Sequence, residues 1–257
     1  MVYGVLCFIC ALAEIAAIPM FLRYYWPGRC KKSFMWKTLA SSLFVLVGVF
    51  AMKASGNNTP YAKFIIIGLI FGLIGDLLLH SLSQKMVYLV SGVLAFLAGH
   101  IFYVVAIQKA IKTTYPDSAV FEWYEFLAIG LVVVISLCYL ILRKYIKRDN
   151  IPILVGLSGY LVFLTTMLVK ASRFVIGEWV YGTNDNVAAL FITVILGAIL
   201  FFTSDITLGL IMLNKERFET RLMRIFNIAT YYIAQILLGS SIFFVQSFEI
   251  FGKLERI

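Results

Sequence analysis

Long apolar runs alternate with short polar clusters along the chain. At the roughly 20 residues that a helix needs to cross a bilayer, the runs fall at about 2–22, 36–54, 61–81, 86–108, 123–142, 151–172, 187–213 and 225–248. The breaks carry turn chemistry: Ser55-Gly56-Asn57-Asn58-Thr59-Pro60 is one cluster and Tyr115-Pro116-Asp117-Ser118 another. Asp149-Asn150-Ile151-Pro152 opens the sixth run with a proline in its first turn. The pattern predicts an all-α polytopic membrane bundle of about eight transmembrane helices, forming a single domain over residues 1–257. Composition agrees, since 62% of the residues are hydrophobic and only 14% charged, which leaves no room for a separate soluble domain.

A net charge of +9 would suggest nucleic acid as partner in a soluble protein. Here the cations gather in alternate loops, the pattern that fixes orientation in a bilayer, and no nucleic-acid-binding motif accompanies them. Arg23, Arg29, Lys31, Lys32, Lys37, Lys85, Arg143, Lys144, Lys147, Arg148, Lys215, Arg217, Arg221 and Arg224 fall on one side, which is expected to be cytoplasmic. Both termini are then expected on the non-cytoplasmic side. The first run, Val2 to Leu22, has no basic segment before it and no small-residue cleavage site after it, so it reads as a retained span. Cys7, Cys10, Cys30 and Cys138 show neither disulfide nor zinc spacing.

The third and seventh runs echo each other. Gly68 precedes Asp76 by eight positions and Gly197 precedes Asp205 by eight, each within a similar apolar string. The next runs continue the match, with Phe96-Leu-Ala-Gly-His100 beside Tyr231-Tyr-Ile-Ala-Gln235. A four-plus-four repeat of this kind would be parallel, because each half has an even number of spans.

Polar groups inside the apolar runs are where chemistry is expected. An aspartate near the centre of a spanning helix costs about 2.5–3.5 kcal/mol on insertion scales. Asp76 and Asp205 are therefore the candidate catalytic pair, facing one cavity if the repeat holds; the alternative is that each carboxyl only fixes helix packing. His100 lies mid-run with Tyr103 one turn on, and reads as a site residue or as a satisfied core histidine. His80 shares a face with Asp76 but sits at the run's end, where an interfacial histidine is ordinary. Lys37 either snorkels to the interface or holds a lipid phosphate. Tyr231, Tyr232 and Gln235 enter the eighth run near the depth of Asp205 and are candidate hydrogen-bond donors to a head group. Glu14 stands alone with no legible role. Two histidines in the chain are too few for a histidine-rich metal centre, so neither a metal nor another cofactor is expected.

Gly75-Asp76-Leu77-Leu78-Leu79, Phe96-Leu-Ala-Gly-His100-Ile-Phe-Tyr103, Leu200-Phe-Phe-Thr-Ser204-Asp205 and Tyr231-Tyr232-Ile-Ala-Gln235 together resemble the YhhN-like family of membrane proteins, whose animal members are lysoplasmalogenases. Lys37 is similar to a lysine that the family carries at the start of its second span. The resemblance runs from about residue 36 to 240. It implies hydrolysis of the vinyl ether of a lysoplasmalogen to a fatty aldehyde and glycerophosphocholine or glycerophosphoethanolamine, with the endoplasmic reticulum as location. The partners implied are a lysophospholipid substrate and membrane lipid, with a homodimer also open. Such a reaction protonates a vinyl carbon, so one carboxyl is needed as acid and the other as a charge, with Asp76 the stronger candidate for the acid. A lipid-length apolar slot ending in a polar pocket is expected, with Lys37 and the tyrosines at the head-group end. Two rivals stand beside this reading: a transporter or channel using the paired aspartates, and a zinc hydrolase of the ceramidase type.

Overall fold

The computed structural model describes residues 2–245 apart from 27, 57, 84, 146–150 and 182–185, and for 151–154 the backbone alone. The turn expected at Asp149-Asn150 and the end of the last run, 246–248, lie outside the described residues. Among the described residues the secondary structure is helical without a strand. Among the described residues eight helices are long and apolar enough to cross a membrane, and the chain is an integral membrane protein. They are α1 (Val2–Tyr25), α2 (Lys31–Ser55), α3 (Pro60–Leu79), α4 (Met86–Thr114), α5 (Trp123–Leu142), α6 (Ile151–Tyr181), α7 (Val187–Leu213) and α8 (Arg221–Val245).

Local chemistry explains the boundaries. Gly56 takes the left-handed conformation (φ 69°) that ends α2, and Pro60 opens α3 behind the Thr59 hydroxyl, which accepts from the Ala62 amide. Thr220 caps α8 in the same way, accepting from the Met223 amide. Helix α6 carries Lys170 and runs on past the hydropathic boundary near 172, through Arg173 and Glu178, to Tyr181. The first two are tolerated because acids at the start of α5 meet them. Glu125 Oε2 lies 2.9 Å from both Lys170 Nζ and Arg173 Nη1, and Glu122 Oε1 is 3.2 Å from Arg173 Nη2. Within α7, Phe191–Leu196 widens into a π-helical segment, which the hydropathy pattern does not register.

Packing partners exchange between the halves as a four-plus-four repeat requires. Helix α1 packs on α2 and α5 on α6; α3 packs on α4 and α7 on α8; α2 meets α8 and α6 meets α4. Two pairings break the exchange, the first being that α3 meets α8 without a matching contact of α7 with α4. Helix α1 also packs against α8, whereas α5 leans on α6 and leaves the flanks of α4 and α7 largely uncovered.

Candidate functional site

Helix α2 presents Lys37 and Ser41, one turn apart, to the buried Asp76 of α3. Lys37 Nζ lies 2.7 Å from Asp76 Oδ1, and Ser41 Oγ donates to Oδ2 at 2.6 Å. The Tyr232 hydroxyl of α8 is 3.2 Å from Ser41 Oγ and extends the chain of contacts. Both carboxylate oxygens are thus engaged, one of them in a buried ion pair.

Asp205 of α7 stands in different company. His100 Nε2 from α4 is 2.8 Å from Asp205 Oδ2, and the Tyr160 hydroxyl of α6 donates to the same oxygen. The other imidazole nitrogen, Nδ1, rests 3.4 Å from the Met167 sulfur. Next to Asp205, Ser204 and Asn227 lock α7 to α8 reciprocally, at 3.0 Å from Ser204 Oγ to the Asn227 carbonyl and 2.8 Å from Asn227 Nδ2 to the Ser204 carbonyl. One carboxylate is therefore held by an ammonium and a hydroxyl, the other by an imidazole and a phenol.

Both aspartates line one cavity at the end of the bundle where α2, α4, α6 and α8 begin. Lys37, Tyr231, His80, Asn227 and Arg224 complete its polar wall. Just past α3, burial first, and then the charges of Lys37, Arg29 and Arg224, push His80 down to about 3. Its neutral ring sits 2.9 Å from Ser33 Oγ and against Phe21 and Tyr25. Arg224, in the first turn of α8, lines the cavity and pairs with Glu219 at 2.6 Å.

The remaining expected residues sit one layer back. Tyr103 donates to Gln235 Oε1 at 2.7 Å, and neither lines the cavity. Tyr103 also packs edge-on against Phe201. A Cβ at Gly72 would come within 2.7 Å of the Gln235 amide nitrogen and 3.2 Å of the Tyr231 hydroxyl, so the glycine is what lets α8 approach α3 here. Glu14 is fully buried in α1, and neither of its oxygens has a hydrogen-bond partner among the described residues.

Hydropathy and spacing pass over several of these groups. Ser41 shares a face with Lys37, a signal visible in retrospect. Arg224 counts only as one more loop cation, His80 reads as interfacial, and Tyr160 is one tyrosine in an apolar run. Beyond Asp205, Phe96 and Leu208 the cavity adjoins a larger apolar groove among α4, α5, α6 and α7.

No solved structure matches the chain. The YhhN family model matches residues 32–242, which include Lys37, Ser41, Asp76, His100, Tyr160, Asp205 and Arg224, and a match over most of the sequence that takes in both carboxylates and their partners places this chain in the YhhN family, the lysoplasmalogenase family.

Proposed function

We propose that the protein hydrolyses the vinyl ether of lysoplasmalogens, using Asp205 with His100 as the proton-delivering pair and Asp76 as the fixed negative charge. The observation that carries this is the unequal setting of two carboxylates on one cavity. The reaction needs that inequality. A proton adds to the vinyl carbon remote from the ether oxygen, leaving an oxocarbenium ion. Water attacks the cationic carbon and loses a proton, and the hemiacetal collapses to a fatty aldehyde with the glycerol oxygen regaining a proton. One molecule of water is consumed and nothing is oxidised or reduced.

Asp76, paired to Lys37 and Ser41, has both oxygens engaged and suits the stabilisation of positive charge. Asp205 shares its Oδ2 with an imidazole and a phenol, a chain along which a proton can be replaced after each turnover. This reverses the assignment favoured by sequence alone, in which Asp76 is the acid. Lys37 and Arg224 are each paired with an acid, but Asp76 is buried whereas Glu219 is exposed, so Arg224 is the cation that can exchange its partner for the lipid phosphate.

The test is detergent-purified protein with lysoplasmenylcholine and its saturated 1-O-alkyl analogue. Aldehyde should appear from the first alone, in equal amount with glycerophosphocholine. In deuterated water the aldehyde should carry one deuteron on the carbon next to the carbonyl. Absence of aldehyde, or aldehyde without that deuteron, defeats the proposal.

A further inference from the structure

Because α5 stands off from α4 and α7, the second half of the bundle keeps an opening that α1 closes in the first half. The groove there meets the polar cavity at Asp205, and nearly all of its other lining is aliphatic or aromatic. Its rim faces outward, with Leu94, Ile135 and Val155 57%, 58% and 66% exposed. Gly156 of α6 and Gly209 of α7 line it, and a Cβ built on either meets nothing within 4 Å. These glycines are therefore not required for close helix packing. Each is four residues from a site residue, Gly156 from Tyr160 and Gly209 from Asp205, which puts it roughly 6 Å along its helix at 1.5 Å per residue.

We propose that this groove holds the hydrocarbon chain of the single-chain lipid substrate, taken sideways from the bilayer, and that Gly156 and Gly209 keep its floor open beside Asp205. The inference rests on the hydrolase reading and names how that site receives its substrate. The occupant follows from continuity and charge: the apolar slot leads to a carboxylate, and the adjoining cavity carries Arg224, whose exposed partner Glu219 can give way to the phosphate of the head group. Lipid tails are as apolar as the groove, so transfer from bilayer to groove supplies no hydrophobic drive. Its work is placement, holding the first carbons of the chain against the proton donor, and misplacement by a side chain in the slot is costly to rate.

The experiment uses Gly156→Phe and Gly209→Phe in the full-length protein, with Gly130→Phe on the exposed face of α5 as control. Phenylalanine is a better helix former than glycine, and open space awaits it at all three positions. For each variant, turnover of butenyl and hexadecenyl lysolipids is measured, together with binding of saturated hexadecyl lysophosphocholine. Each plug should lower kcat/KM for the hexadecenyl substrate at least tenfold, and by more than for the butenyl one, and weaken hexadecyl binding, while the Gly130→Phe protein stays within twofold of wild type. As a check independent of plug folding, Gly209→Cys should react with a membrane-permeant maleimide and be protected by hexadecyl lysophosphocholine. Unchanged hexadecenyl turnover and binding in both plugs would mean that ordinary lipid fills the groove, and the proposal is overturned. It is equally overturned if the plugs alter only the oligomeric state, which would make the groove a seat for a second copy. If wild type binds the hexadecyl lipid with Gly209→Cys protected yet releases no aldehyde, the groove assignment stands and the hydrolase reading fails.

Discussion

Lys37 and Asp76 give the sharpest separation of stability from catalysis. At 2.7 Å between Nζ and Oδ1, and with an effective dielectric of about 20, the Coulomb attraction is about 6 kcal/mol. Desolvation of the two ions offsets most of it, so the pair adds little to stability as a pair. Removing one partner is another matter, because it strands the other charge, at a cost of about 3–5 kcal/mol. Lys37→Met and Asp76→Asn should each lower the unfolding midpoint in detergent by on the order of 10 °C. The double variant Lys37→Met with Asp76→Leu should return close to the wild-type midpoint, since apolar groups of similar volume replace both ions. Its turnover should not return. Loss of the fixed charge opposite the oxocarbenium ion should leave aldehyde release on the order of 100- to 1000-fold below wild type. Thermal unfolding and aldehyde release on the same preparations decide the matter. Single variants with wild-type midpoints would refute the ion-pair argument, and a double variant that turns over normally would remove Asp76 from the mechanism.

Three further outcomes are expected. Asp205→Asn should cut turnover by roughly 100- to 10,000-fold while leaving the unfolding midpoint within a few degrees of wild type, as measured by single-turnover aldehyde release beside calorimetry. At the opposite end of the bundle, Glu125→Gln strands Lys170, while Arg173 keeps Glu122, and should cost about 3–5 kcal/mol in stability, with a smaller effect on the rate of the surviving folded protein. The His80 value of about 3 lies below the ordinary 6.5, so the unfolded chain binds a proton that the folded one refuses once pH drops below about 6.5. Stability should then decline by about 1.4 kcal/mol per pH unit on acidification, and His80→Gln should flatten that slope in unfolding curves taken from pH 7 to 5.

What the sequence makes legible here is what the bilayer makes expensive. Apolar runs must be helices because lipid offers the backbone no other hydrogen-bond partner, and Asp76 and Asp205 stand out because a carboxyl at that depth is disfavoured without a use. The neighbours that give each aspartate its character are not legible in the same way. Ser41 and Tyr160 are inexpensive in a membrane and carry no signal of their own. Arg224 is hidden among the loop cations, and Lys170 lies near the end of the sixth run with nothing in the sequence to show that Glu125 meets it. Each becomes functional only through which helix packs on which, a property of pairs that single-run hydropathy does not contain.

The repeat carries the most of that pairwise information, and its imperfection is where function enters. A strict exchange of halves would surround Asp76 and Asp205 with equivalent groups and leave them chemically interchangeable. Instead α2 supplies a lysine and a serine to one, while α4 and α6 supply a histidine and a tyrosine to the other. In the same half α5 has withdrawn from α4 and α7, opening a groove onto Asp205 where α1 seals the corresponding flank. A reaction that needs one acid, one fixed charge and one apolar approach is served by departures from symmetry on each count. Restoring the symmetry should therefore abolish turnover: His100→Gln, which gives Asp205 the residue that the other half carries at Gln235, should leave the bundle folded and slow aldehyde release by roughly 100-fold or more. Near-normal release from a folded His100→Gln protein would show that the imidazole is packing, and that the proton reaches Asp205 by another route.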